Sequence, residues 1–533
     1  MRKSTLLCAV CLAAVLASPA AAQELTIGIS AEPSALDPHY HNLGPNNAMR
    51  RHMFEALLLS DENQRLSPGL AASYEPLDDT TWEFKLREGV KFHDGSPFTA
   101  RDVVFTVCRV PTVENSPSSF TVYTKAIAGM EVKDPHTLLI KTDGPYPLMP
   151  NEAASWGILS ATANGVTGDI GFSRDGCSGI DSYPKTEDFN SGKAAVGTGM
   201  YKFKEFTRGE KVVLARNDDY WGDKGDWTTV TFRPITSDGP RVAALLAGDV
   251  DLIENPPLQD LERIKSEGFE VAQGLSNRVI YLHMDHEGEP SPGITGTDKN
   301  PLKDIRVRKA LSMAINRDAI VERIMNGVAV PAGELLPQGM FGTTPGAEAE
   351  KYDPEGAKKL LAEAGYPNGF GLTIGSPNDR YINDAQVTQA VAQMLTRIGI
   401  QTQVDAVTAS TFFKRRNAFE FSVYLAGWGA ATGEMSSPLR ALVATKNKEK
   451  GYGGTNAGRY SNPEMDALID QALATVDDDK REALLQQASQ VVIQDYGILP
   501  LHFEVTPWAF RKGLGFVPRV DQYTLALGVK PAS

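Results

Sequence analysis

Cysteine is scarce in this chain, with four in 533 residues, and two of these, Cys8 and Cys11, fall within the first 22. The remaining two, Cys108 and Cys177, form no Cys-x-x-Cys pair, which excludes a thiol-ligated zinc site or a thioredoxin-like redox motif. Positive charge is also short: 53 Lys and Arg face 66 Asp and Glu, for a formal net charge of −13. Such a surface is not expected to bind nucleic acid, nor does it favour anionic membranes. There is no Gly-x-Ser-x-Gly elbow, no His-Glu-x-x-His pair and no Gly-x-x-x-x-Gly-Lys loop, so the local signatures of serine hydrolases, zinc proteases and P-loop enzymes are missing. A glycosidase built on two carboxylates leaves no local signature, because only a fold sets their separation. Beyond the first 22 residues no stretch approaches the ~20 apolar residues needed to cross a bilayer.

What is present begins with a leader. Arg2 and Lys3 precede an apolar run from Leu6 to Leu16, and Ala20-Ala21-Ala22 precedes Gln23. This is the pattern of a secretory signal peptide cleaved after Ala22, which predicts an exported protein. Neither Cys8 nor Cys11 follows the Leu-small-small pattern of a lipidated cysteine, so a free soluble protein is expected. In an oxidising compartment, Cys108 and Cys177 are expected to form a disulfide; two buried free thiols are the alternative.

Length predicts about three domains at ~150 residues each. Apolar residues make up 42% and charged residues 22%, the balance of a soluble globular chain. Leu25–Ile29 reads as a first strand. In Ala71–Thr106, Trp82, Phe84 and Leu86 alternate with Glu83, Lys85 and Arg87, the period of a half-buried strand. Val90 and Phe92 resume the alternation, and Thr99 with Asp102 forms a capping box for a helix. Thr162 to Lys193 is rich in Gly, Ser and Asp and predicts an irregular, cystine-tied region. Asn277 to Asp285 is apolar enough for a buried strand. Helices are predicted over Lys303–Ile315, from Asp353-Pro354 to Gly365, over Asp384–Ile398, and from Asn462-Pro463 and Asp477-Asp478. Helices alternating with short apolar strands imply an α/β fold.

The order of residues carries more than their periodicity. Ala71, six residues, Asp78, two residues and then TWEFKLREGVKF resembles the signature of the solute-binding proteins that serve ABC importers of peptides and nickel. Ser34-Ala-Leu-Asp-Pro38, Gly197-Thr-Gly-Met-Tyr201, Arg216-Asn-Asp-Asp-Tyr-Trp221 and KDIRVRKALSMAINRDAIVERIMNG from Lys303 are similar to further motifs of that family. The resemblance implies a type II-like periplasmic binding protein, with two lobes, a hinge and an additional inserted domain. A discontinuous first lobe is expected at 23–62, 190–281 and 498–533, a second domain at 63–189, and a third, ligand-carrying lobe at 282–497. The implied function is capture of a small peptide or peptide-like solute by lobe closure and delivery to an ABC permease in the inner membrane. No enzymatic activity, cofactor or metal is expected, and the protein should be a monomer. The alternatives are an opine or oligosaccharide binder and, less favoured, a secreted hydrolase on the same scaffold.

The resemblance also directs attention to a site. Phe419 to Trp428 is similar to the family strand that ends in Gly-Trp beside the ligand, so Gly427 and Trp428 are expected to line the pocket. Peptide binders of the family place an aspartate three residues after that tryptophan to hold an ammonium group. Here the position is Ala431, and Glu434 is the nearby acid expected to compensate. Arg380 and Tyr381 stand where dipeptide binders place a carboxylate-binding arginine, a match to the guanidinium fork. Tyr40, between His39 and His41, and Asn277 complete the expected ligand set. His-x-His without a nearby Cys or acid is a weak metal signal. His283 and His286 with Glu287 leave a strand on alternating faces, so no metal centre is expected.

Overall fold

The structure, a computed structural model, describes residues 23–532; the expected leader, with Cys8, Cys11 and the cleavage after Ala22, lies outside the described residues. A mixed sheet of twelve strands runs through the molecule. At one end Glu24–Ile29 lies parallel to Thr229–Pro234 and to Leu252–Glu254. At the other end Gly371–Pro377 lies parallel to Gln401–Val407 and to Val423–Gly429. Between these ends two long strands, Glu270–Met284 and Ile498–Phe510, run antiparallel as a ribbon.

The apolar run in the first of these strands has a simple cause: both its faces are buried. Ile280, Leu282 and Met284 enter one hydrophobic core, and Val279 and Tyr281 enter another. The strand starts at Glu270, earlier than Asn277, because Glu270 to Leu275 pair with Val505 to Phe510 although Glu270, Ala272, Gln273 and Gly274 are polar or small. A third core gathers Leu25 and Ile27 with Tyr201, Val230, Trp508 and Val529.

A second sheet, of six antiparallel strands, spans Ala71 to Ser178. Trp82, Phe84 and Leu86 turn inward as their alternation predicts, joining Leu138, Ile140, Val103 and Val107. Val90 and Phe92 are also buried, yet they lie outside any strand. They flank Lys91, which pairs with Pro97 in a single antiparallel bridge across the turn at Asp94-Gly95, so the alternation survives as a short bridge and not as a full strand. The capping box forms: the Asp102 carboxylate accepts from the Thr99 backbone N–H at 2.8 Å and also from that of Ala161, opening the helix Ala100–Arg109.

The end of that helix is fixed twice. Cys108 is disulfide-bonded to Cys177, with Cα atoms 6.0 Å apart. Next to it, Arg109 donates to both oxygens of Asp37 at 2.5 Å, and Thr186 and the backbone of His39 complete the carboxylate's partners. Cys177 belongs to the hairpin of Gly171–Ser173 and Gly176–Ser178, which extends the edge strand Ile127–Asp134. The Thr162–Lys193 stretch is therefore more regular than its composition predicts, and the covalent tie and the neighbouring edge supply what periodicity lacks. The remaining helices begin at the predicted caps: Asp353, Asn462 and Asp477 each accept from the first turn.

Candidate functional site

A cleft of about 850 Å³ opens where the parallel strands of both sheet ends finish. At one end Ser30 follows Glu24–Ile29 and Glu254 is the last residue of its strand, while at the other Trp428 lies at the end of Val423–Gly429 and Arg380 follows Gly371–Pro377. The carboxyl ends of parallel strands are the usual ligand position in α/β sheets, because connecting loops splay apart there. Asn277 and Arg278 of the ribbon form the floor, and the part of the chain that carries the six-stranded sheet contributes Tyr123, Lys125, Tyr146 and Glu152. A separate cavity of about 290 Å³ lies between the helix Gly44–Met53 and the 517–528 segment, and none of the expected ligand residues lines it.

Three of the residues singled out from sequence line the cleft: Trp428, Arg380 and Asn277. The Trp428 indole donates to Ser437 Oγ at 3.2 Å, which fixes the ring plane. Asn277 pins the two sides together at the back, donating to Gln64 Oε1 at 2.6 Å and to the Ala430 carbonyl at 2.9 Å. The Arg380 guanidinium lies 5.1 Å from the Tyr381 ring centroid, and no carboxylate comes within 4 Å of it among the described residues.

The other four lie outside the cleft lining. Tyr381 is buried behind it and donates to the Gly427 carbonyl at 3.2 Å, so these two support the wall from the rear. Tyr40 is not among the lining residues, and its backbone carbonyl accepts from Ser116 Oγ at 2.6 Å. Glu434 is only 1% exposed. It accepts from Arg481 at 2.6 Å and from Ser436 Oγ. A carboxylate enclosed by its own arginine has no oxygen to offer a solute. The histidines are structural as well: His283 and His286 each donate to a backbone carbonyl, of Leu442 and Gly497 respectively. Burial lowers the first to about 4 and the second to about 3, keeping both rings neutral.

Sequence reasoning missed the charged groups that face the cleft from elsewhere. Arg440, Lys125 and Glu152 all line it. Arg440 rides on a π-helical turn, Leu439–Val443, and Glu152 on a short helix, Met149–Ala153, in a stretch whose Tyr146-Pro and Met149-Pro pairs read as irregular. Glu152 takes the Tyr146 hydroxyl at 2.6 Å on one oxygen. Burial raises its carboxyl to about 7, although Tyr146, Arg440 and Lys125 pull the other way. No local pattern marks these three, because they come from three separate segments.

The geometry agrees with what known proteins share with this chain. A family model for bacterial extracellular solute-binding proteins, family 5 middle, matches residues 65–450. The glutathione-binding protein GsiB of Escherichia coli (strain K12) is 29% identical over 507 residues, covering 93% of this chain and 91% of that protein. The Escherichia coli murein tripeptide binding protein MppA is 25% identical with a TM-score of 0.70, covering 96% of this chain and 99% of that one. The ABC transporter substrate binding protein CtaP of Listeria monocytogenes superposes with a TM-score of 0.80 at 22% identity, over 96% of this chain and 100% of that one, a likeness of fold.

Proposed function

The chain belongs to the bacterial extracellular solute-binding proteins of family 5, and from that premise we propose that it is the periplasmic, non-enzymatic capture component of an ABC importer for small peptides. The carrying observation is the cleft itself. Its ~850 Å³ falls in the range of small-molecule sites, roughly 300–1,000 Å³, and its walls come from both ends of a sheet joined by a two-stranded ribbon. Trp428 offers an aromatic face for a peptide unit, and Arg380 a fork for a terminal carboxylate. Glutathione and a murein tripeptide are what the names of GsiB and MppA state for those proteins.

In this reading the first lobe comprises 23–62, 190–281 and 498–533, the inserted domain 63–189 and the third lobe 282–497. A solute closes the lobes about the ribbon, the protein works as a monomer, and a membrane permease receives the cargo. The leader ending at Ala22 directs export. No helix among the described residues is long and apolar enough to cross a membrane.

Mass spectrometry of solute released from the exported protein by mild unfolding should recover an intact peptide. Readdition of that peptide at 100 times its dissociation constant should stabilise the fold by about 2.7 kcal/mol and shrink the radius of gyration. Recovery of a sugar, or superimposable scattering curves with and without bound peptide, would reject the reading.

A further inference from the structure

Three acids line the cleft, Glu254, Asp521 and Glu152, and two of them are fully engaged. Glu254 accepts from Ser30 and Thr524 on its separate oxygens. Asp521 accepts from Arg519 on both oxygens and from Arg51 and the Tyr523 backbone. Glu152 differs. Its Oε1 takes the Tyr146 hydroxyl, while its Oε2 has no hydrogen-bond partner although the residue is only 5% exposed. A buried carboxylate oxygen left in this state costs free energy until a donor arrives.

Glu152 also sits against the loop that follows Trp428. The neighbouring Asn151 amide donates to the Thr432 carbonyl at 3.0 Å, and residues 427–433 of that loop contain no acid. On the same side stand two cations. Arg440 is half-buried, its Nε lacks a hydrogen-bond partner, and its guanidinium lies 5.8 Å from the Tyr452 ring centroid. Neither Arg440 nor Lys125 has a carboxylate within 4 Å among the described residues. Both are near enough to Glu152 to act on its charge, yet neither closes on it.

We propose that the solute carries an amino-acid head joined to the rest of the molecule through its side chain, so that its ammonium meets Glu152 while the carboxylate on the same carbon meets Arg440 and Lys125. The proposal rests on the reading of the cleft as a peptide site. An ordinary peptide amino terminus supplies an ammonium beside a neutral amide, and closure over it leaves the two cations desolvated and unpaired. A lone carboxylate leaves Glu152 in that position. Uncompensated charge in a closed site is strongly unfavourable, whereas a head with both charges on one carbon satisfies the whole cluster.

Calorimetric titration with γ-L-glutamyl-L-alanine, its α-linked isomer and N-acetyl-γ-L-glutamyl-L-alanine tests this. In the unaltered protein the γ-linked peptide should bind at least tenfold more tightly than the α-linked isomer, and acetylation should cost at least tenfold. These two comparisons need no variant. In Glu152→Gln, shown folded by its unliganded melting curve, the acetylation penalty should vanish, and Arg440→Gln should weaken the γ-linked peptide more than the α-linked one. Equal binding of the two isomers, or an acetylation penalty retained in Glu152→Gln, overturns the head-group assignment while peptide capture stands. Failure of all three probes, with a non-peptide solute recovered from the exported protein, overturns both.

Discussion

Asp37 and Glu152 are both withdrawn from water, at 2% and 5% exposure, but their surroundings act in opposite directions. Burial would raise Asp37, yet the hydrogen bonds and charge of Arg109 overcome it and hold the carboxyl below its ordinary value. Burial raises Glu152 to about 7, and the cations near it do not come close enough to reverse that. The first acid is finished within the chain; the second is left with one oxygen open. A buried arginine–carboxylate pair in which both carboxylate oxygens are taken fixes structure. A buried carboxylate beside unpaired cations stores an incomplete interaction that a solute can complete. The contrast separates a scaffold charge from a binding charge without reference to any ligand.

The largest expected effect breaks the settled side. Asp37→Ala strands Arg109 in the interior and should cost about 3–5 kcal/mol in urea unfolding, against about 1 kcal/mol or less for the isosteric Glu152→Gln. Equal losses would erase the distinction between the two acids.

Their pH responses sharpen it further. Glu152 holds its proton more tightly folded than unfolded, so stability should fall as pH rises from about 4.5 to about 7 and level off above. The component is on the order of 3 kcal/mol. Glu334, also raised to about 7 by burial, adds a slope of the same sign, so the difference between the protein and Glu152→Gln isolates the Glu152 share. Asp37 has the opposite sign: its contribution is complete above the ordinary value of 3.8 and is lost as pH falls through its lowered folded value. Denaturant midpoints across pH 3–8 measure both, and a flat difference curve between pH 4.5 and 7 would count against the raised Glu152.

The smallest effect concerns the cleft alone. Trp428→Ala should weaken the bound solute by ~2 kcal/mol, the scale of a buried aromatic anchor, and titration calorimetry reads it directly. Unchanged affinity would move the site elsewhere.

Much of the scaffold can be read from local order. The alternation at Trp82, Phe84 and Leu86, the caps at Asp353 and Asn462, and the glycine stop at Gly365 follow from one or two turns of chain. They need no tertiary knowledge. The ordered motifs extend this to the family. The charge pattern of the cleft cannot be read this way. Glu434 lies in the right neighbourhood by sequence, yet Arg481, 47 residues away, encloses it. Glu152 lies in a proline-broken segment that no periodicity marks, and the Asn151–Thr432 contact, 281 residues apart in sequence, is what brings it to the site. Such pairings are long-range facts, and a single sequence holds no local trace of them.

The ribbon between the two sheet ends loses its pairing rhythm twice in succession, between Leu275 and Val279 and again between Ile280 and Tyr281. Ser276, Asn277 and Arg278 together face the single residue Glu504, and the Arg278 Nε lies 3.4 Å from its carboxylate. In mechanical terms this is a leaf spring with a notch, since the cross-strand bonds that stiffen the rest are interrupted there. A ribbon bends most easily where such bonds are missing, and the notch is the floor of the cleft. Asn277 and Arg278 therefore sit at the fulcrum, where lever arms are shortest and displacement is least. Lys125 and Gly451, on the cleft's other walls, ride on longer arms. For lobes closing about this ribbon, as proposed above, contacts at the fulcrum change least and contacts on the outer walls change most.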